Sequence, residues 1–198
     1  MTKTTLQSID NIAPVDGKKK SSDPAQAQYD EGKEFLEKKE VAQAGLAFHN
    51  ALLAFEEKDN QNGIANASNQ LGHVCLQRLE YDKALKYYQR AWDICEKQDD
   101  PMSLIALSNQ LVSVRQGLKQ YPEAVKLCLD LLESYDLNNN PQGAVDTLER
   151  MVAIYLEAGD KAKAADGYRT IASIHAKFKH KNIAESFMEK AQALEEAV

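Results

Sequence analysis

The chain has 198 residues, 43% hydrophobic and 27% charged, with a formal net charge of -6. That length suffices for one domain with a continuous core, and the acidic balance speaks against a basic nucleic-acid-binding face. The start of the chain lacks the apolar run of a secretory leader, and no stretch is apolar enough to cross a bilayer, so a soluble cytoplasmic protein is expected.

Residues 1–22 carry Pro14, Gly17 and the run Lys18-Lys19-Lys20-Ser21-Ser22, with no apolar periodicity. A disordered, solubilising tail is expected there. From Asp23 onward the pattern is helical and predicts one repeat domain over 23–198. Asp23-Pro24, Asp100-Pro101 and Asn140-Pro141 each set a capping oxygen before a proline at the first helical position, and Asn60 holds the same place without the proline. Second starts fall at Lys39-Glu40, Glu80-Tyr81, Gln120-Tyr121-Pro122 and Gly159-Asp160. The predicted elements are nine helices, near 24–38, 41–57, 61–78, 81–97, 101–118, 121–136, 141–158, 161–178 and 181–197. Joins this short make sequential helices antiparallel. No segment alternates in the manner of a strand.

The helices repeat with a period of forty residues. Ala44, Ala84, Ala124 and Ala164 share one register position. Phe48, Tyr88, Cys128 and Tyr168 share another, as do Ala51, Ala91, Leu131 and Ile171, and Gly32, Gly72, Val112 and Val152. A small residue is needed where the two helices of a hairpin cross, and a ring one turn later fills the space between hairpins. Cys75, Cys95 and Cys128 sit inside these apolar patterns and read as reduced core residues. The repeats run about 24–59, 60–99, 100–139 and 140–178. In helix 181–197, Ile183, Ala184, Phe187, Met188, Ala191 and Leu194 form one stripe, with Glu185, Glu189, Gln192 and Glu196 opposite it. Such a helix would cap the array, since the end of a repeat stack is otherwise apolar. Helix 161–178 also suits the first helix of a fifth hairpin, and both descriptions stand.

This pattern resembles the tetratricopeptide repeat, whose motif runs Trp-x-x-Leu-Gly-x-x-Tyr, then Ala-x-x-x-Phe, then Ala and Pro. The second repeat matches it best, with Leu71-Gly72, Ala84, Tyr88 and Ala91, and with Cys75 where the motif has Tyr. The Trp position holds Gln28, Ser68, Ser108 and Leu148, and the closing Pro is replaced by Glu56, Glu96, Asp136 and Ala176. The forty-residue period is similar to that of the long variants in kinesin light chains, Leu-Gly-Asn repeat proteins and bacterial peptide-sensing regulators. The resemblance implies an all-α, right-handed superhelix of antiparallel hairpins whose first helices line a concave groove.

The first helices of repeats two and three are unusual on that side. No formal charge occurs between Asn60 and Gln77, or from Pro101 to Val114. Asn66, Asn69, Gln70, His73 and Gln77 fall on one helical face, and the equivalent places in the third repeat hold Ala106, Asn109, Gln110, Ser113 and Gly117. An amide there can bond both the N–H and the C=O of an extended peptide. The predicted peptide-binding set is Lys33, Asn66, Asn69, His73, Asn109, Ser113, Glu149 and Arg150, with the asparagines outward and Gln70 and Gln110 bridging between helices. The charged members, with Glu157, would set preference. Only Lys33 and Asn69 fit the clamp with which one subclass of the resembled family grips a free C-terminal carboxylate, so such a ligand is not expected.

His49, His73, His175 and His180 include no i, i+4 pair with His or Cys suited to zinc, and no nucleotide loop, nucleophile elbow or Cys-x-x-Cys appears. Neither a metal, a cofactor nor catalysis is expected. The reading is a scaffold or adaptor that holds a segment of a protein partner in its groove. Two alternatives stand beside it: a dedicated secretion or assembly chaperone, and a homo-oligomer in which one copy fills the groove of the next.

Overall fold

The computed structural model describes residues 21–196. Of the expected tail, 1–22, all but Ser21 and Ser22 lies outside them. Among the described residues there are nine helices and no strand: α1 (Pro24–Glu37), α2 (Val41–Glu57), α3 (Gln61–Gln77), α4 (Tyr81–Lys97), α5 (Pro101–Gly117), α6 (Tyr121–Leu137), α7 (Pro141–Glu157), α8 (Lys161–Lys177) and α9 (Lys181–Glu196). They stack as antiparallel hairpins in a right-handed helical-repeat superhelix.

The helices stop by one shared device. Lys39, Asp59, Leu79, Asp99, Lys119, Asn139 and Lys179 all adopt a left-handed backbone, with φ between 48 and 63°, and Gly159 does so at 80°. At each such position the N–H bonds back to the carbonyl three residues earlier, and the next N–H bonds to the carbonyl five residues earlier. In the first turn these are Lys39 to Leu36 at 2.9 Å and Glu40 to Phe35 at 2.8 Å. This is the Schellman closure, which satisfies carbonyls that a helix end would leave orphaned. It recurs every twenty residues, so α2 to α8 are all 17 residues long. The structural unit is therefore half the forty-residue sequence repeat.

Starts are less uniform. Asp23, Asn60, Asp100 and Asn140 accept bonds from Ala25, Gly63, Ser103 and Gly143 N–H groups, as the sequence predicts, and Asp160 does the same with Lys163. Glu40, Glu80 and Gln120 make no capping bond. Those three helices are begun by the turn before them.

Ala44, Ala84, Ala124 and Ala164 are all fully buried at the hairpin crossings. The neighbouring register positions conserve volume as pairs. A Cβ built on Gly32 would lie 2.6 Å from the Phe48 ring, and one on Gly72 would lie 2.7 Å from Tyr88. In the third repeat the bulk moves across the pair, since buried Val112 corresponds to Gly72 and buried Cys128 to Tyr88. In the fourth, Val152 is accommodated by Gly167, whose absent Cβ would sit 2.5 Å from a Val152 methyl. The same exchange occurs between hairpins. Phe55 and Tyr135 rest on Gly63 and Gly143, whereas the smaller Cys95 lies against Ser103 at the matching place. Such coupled choices are what close packing demands.

The last helix departs from expectation. Ala184, Phe187 and Ala191 are buried, but Ile183 and Met188 are 45% and 48% exposed. The stripe expected to face inward is wider than the α8 surface that receives it. Ile183 therefore points to solvent. Met188 joins Glu185, Glu189 and Gln192 along one side of a groove whose other side is Ala172, Ser173 and Ala176 of α8.

Two outcomes test this packing. Gly72→Val will lower stability by about 1–3 kcal/mol in urea unfolding, and adding Tyr88→Cys, as in the third repeat, will recover part of that loss through coupling between the two sites. Independently, Leu79→Gly will raise stability by about 0.5–1 kcal/mol, because it relieves a left-handed Leu that is already exposed, whereas Gly159→Ala will lower it by about 1 kcal/mol. Opposite signs at two equivalent turns are the diagnostic.

Candidate functional site

The first helices α1, α3, α5 and α7 approach one another along one side of the stack. α3 touches α5 directly, and side chains of α7 bond to α5. The predicted site residues all lie on these four helices, but they do not form one set.

Asn109, Ser113 and Arg150 come together. One Arg150 nitrogen donates to Asn109 Oδ1 at 3.2 Å, and the other donates to the Asn109 carbonyl at 3.0 Å and to Ser113 Oγ at 2.8 Å. Asn109 Nδ2 donates to the Ile105 carbonyl at 2.9 Å and to the Tyr135 hydroxyl at 3.0 Å. Both amide hydrogens are thus spent within the protein. Asn109 does not present a free amide outward, as the sequence reading supposed, because Tyr135 of α6 and Arg150 of α7 flank it on either side. Arg150 is likewise a clamp between repeats rather than a flanking charge. Gln116 and Glu157 add a further α5–α7 bond at 2.6 Å.

The guanidinium is held entirely by neutral oxygens. It forms no ion pair among the described residues, and desolvation lowers its pKa while it remains a cation. Cys128 lies beneath it, and burial pushes that thiol up to about 11, so it stays a protonated core residue and not a nucleophile.

Three amides of α3 have not been spent. Asn69 and Gln70 are half-buried, Asn66 is exposed, and no side-chain hydrogen bond joins any of the three to another described residue. The half-buried Gln110 on α5 is equally open. The expected division, asparagine outward and glutamine bridging, is therefore reversed in the third repeat. His73 sits beside Gln77, with side-chain nitrogens 3.0 Å apart. Lys33 lies apart on α1, where Asp30 holds it at 2.7 Å and the Tyr29 ring lies beneath it at 5.1 Å. The Asp30 carboxylate raises its pKa. Glu149 is exposed on α7 and forms no ion pair among the described residues.

Tyr135, Gln116 and Ile105 were not foreseen. The register did contain the signal for Arg150. It occupies the position of Gln70 and Gln110, one repeat along, so the forty-residue spacing alone puts it beside α5. Tyr135 occupies the position of Phe55 and Cys95, where a long polar side chain can reach the adjacent first helix. No group of three or more His, Cys, Asp or Glu that could hold a metal occurs among the described residues. No described helix is long and apolar enough to cross a membrane.

Fold and face together define a tetratricopeptide-type helical-repeat protein. Within that class, the model of the soluble NSF attachment protein family, SNAP, matches residues 7–139, well over half of the chain, and the chain belongs to that family. A protein described as uncharacterized protein ycf37, from Guillardia theta, is 32% identical over 111 residues, which are 56% of this chain and 58% of that protein. Among solved structures, apo RapI superposes with a TM-score of 0.65 at 15% identity, over 88% of this chain and 54% of its own. A Rap protein complexed with competence and sporulation factor gives 0.62 at 13% identity, over 86% and 54%. The kinesin light chain TPR-like repeats of Podosopora anserina give 0.51 at 16%, over 88% and 97%. The chain thus spans little more than half the length of the ycf37 and Rap proteins. At these identities the structural likeness establishes the fold.

The two kinds of amide separate in a stability measurement. Asn109→Ala will cost about 1–3 kcal/mol, since it removes one acceptor from a half-buried guanidinium and leaves the Tyr135 hydroxyl without its amide partner. Asn69→Ala will stay within about 0.5 kcal/mol of the parent. Equal losses at both positions would show that the amides share one role.

Proposed function

We propose that the chain is a non-catalytic interaction module, a scaffold or adaptor, and that the first-helix face forms a concave groove for an extended or helical segment of a protein partner. The observation that carries this reading is the row of open amides, Asn66, Asn69, Gln70 and Gln110, on stretches free of charge where a merely solvated face would carry Lys and Glu. Half-buried amides without an internal partner are the groups that gain most from meeting a peptide backbone. Gln110 directly follows Asn109, which with Ser113 holds Arg150, a cation without a carboxylate of its own. The groove so described would run from Asn66 across Asn69 and Gln110 to Ser113 and Arg150, with His73 at one side and Glu149 and Lys33 toward its ends. The Rap protein captured with competence and sporulation factor supports the reading by showing that a repeat stack of this fold takes a ligand.

The variant Asn69→Ala/Gln110→Ala will keep the parent's helicity and unfolding midpoint but lose, by at least about tenfold in affinity, the partner that the wild-type chain retains on a column. A correctly folded double variant that keeps its partner at undiminished affinity rejects the amide groove.

A further inference from the structure

The turn between α8 and α9 holds a pair of groups found at none of the other turns. His175 closes α8, and His180 is the residue whose N–H bonds back to the His175 carbonyl at 3.0 Å. Equivalent places in the earlier repeats hold Phe55 and Asn60, Cys95 and Asp100, and Tyr135 and Asn140. Only the final turn carries two imidazoles. Helical i, i+4 reasoning passes over them because they are five apart, yet the Schellman closure folds the second residue back onto the first.

The rings meet through their Nδ1 atoms, 3.3 Å apart, with centroids at 5.6 Å. Both are braced from behind. His175 stacks on Phe187 of α9 at 5.8 Å and 5° between planes, and His180 stacks on Phe178 at 6.3 Å and 27°. Two neutral imidazoles in this arrangement share a single proton, one Nδ1–H donating to the other Nδ1 lone pair. The same geometry suits a different occupant. Two nitrogens bound to one tetrahedral zinc at about 2.0–2.1 Å stand about 3.3–3.4 Å from each other. A metal would therefore displace the shared proton with the rings close to where they already are.

We infer that His175 and His180 form a two-imidazole site for a borderline divalent transition ion, of which Zn2+ is the representative. Nitrogen donors select Zn2+, Cu2+ or Ni2+ over Mg2+ or Ca2+. Lys177, Lys179 and Lys181, in the same turn, count further against hard cations that need several carboxylates. No third His, Cys, Asp or Glu joins the pair among the described residues. The remaining positions on the ion would be taken by water or a small anion, so binding is exchangeable. When an ion binds, the Nδ1 proton is exchanged through solvent to Nε2 of the same ring, so both imidazoles serve as neutral Nε2–H ligands and no net proton leaves the pair.

The test uses the full chain, freed of any polyhistidine tag, with ZnCl2 as the only ligand. Titration calorimetry will give one Zn2+ per chain, and no heat with MgCl2. His180→Gln leaves the His175–Phe187 stack in place and will weaken Zn2+ binding by about tenfold or more. His175→Gln will do the same, and in NMR spectra the Zn2+-induced shifts will fall on the ends of α8 and α9. Zn2+ binding of equal strength in His180→Gln and wild type overturns the site. So does the absence of binding to wild type at millimolar Zn2+.

Discussion

Everything in this chain depends on one turn. A residue in the left-handed region lets two successive N–H groups reach back to carbonyls of the finished helix, and the chain leaves in the opposite direction after three residues. Because the turn is the same each time, the helices are the same length, and because they are the same length, side chains twenty and forty residues apart meet in the same way. The arrangement tolerates the cost of placing Leu, Lys, Asp and Asn in a conformation that glycine adopts more readily. Satisfied carbonyls at each helix end offset that strain.

The architecture was legible because it is periodic. Register positions such as Ala84 and Ala124 can be checked against one another without any knowledge of the fold, and the caps at Asn60, Asp100 and Asn140 mark the frame. What escaped notice were features carried by no distinctive letter. The helix boundaries were placed, but their left-handed closure is written in Lys39, Leu79 and Lys119 as readily as in Gly159, so no glycine signal announced its geometry. The outward-facing Ile183 and Met188 escaped because periodicity defines a stripe but not the width of the surface that receives it.

The candidate site shows the same division. A lack of charge along α3 and α5 could be seen directly, and it located the face. Which amides stay open could not, since that depends on neighbours from other repeats. Asn69 and Asn109 are identical letters at identical register positions. One has Tyr135 and Arg150 beside it, and the other has only Cys95 at the Tyr135 place and Gln110 at the Arg150 place. A repeat protein can thus diversify one position without changing it, by changing what stands forty residues on.

The α5–α7 bonds have a kinetic meaning as well. In a stack where each hairpin meets mainly its neighbours, unfolding proceeds inward from the ends, repeat by repeat. Arg150 joins the third repeat to the fourth through a backbone carbonyl and two side chains, and Gln116 and Glu157 repeat the link further along. No such pair of bonds joins the inner helices α1 and α3 among the described residues. Once fraying from the C-terminal side reaches α7, it must therefore break bonds to α5 as well, a tie that α1 does not have to α3. Opening of the α7 amides would then be coupled to that of the α5 amides, whereas α1 could open without α3.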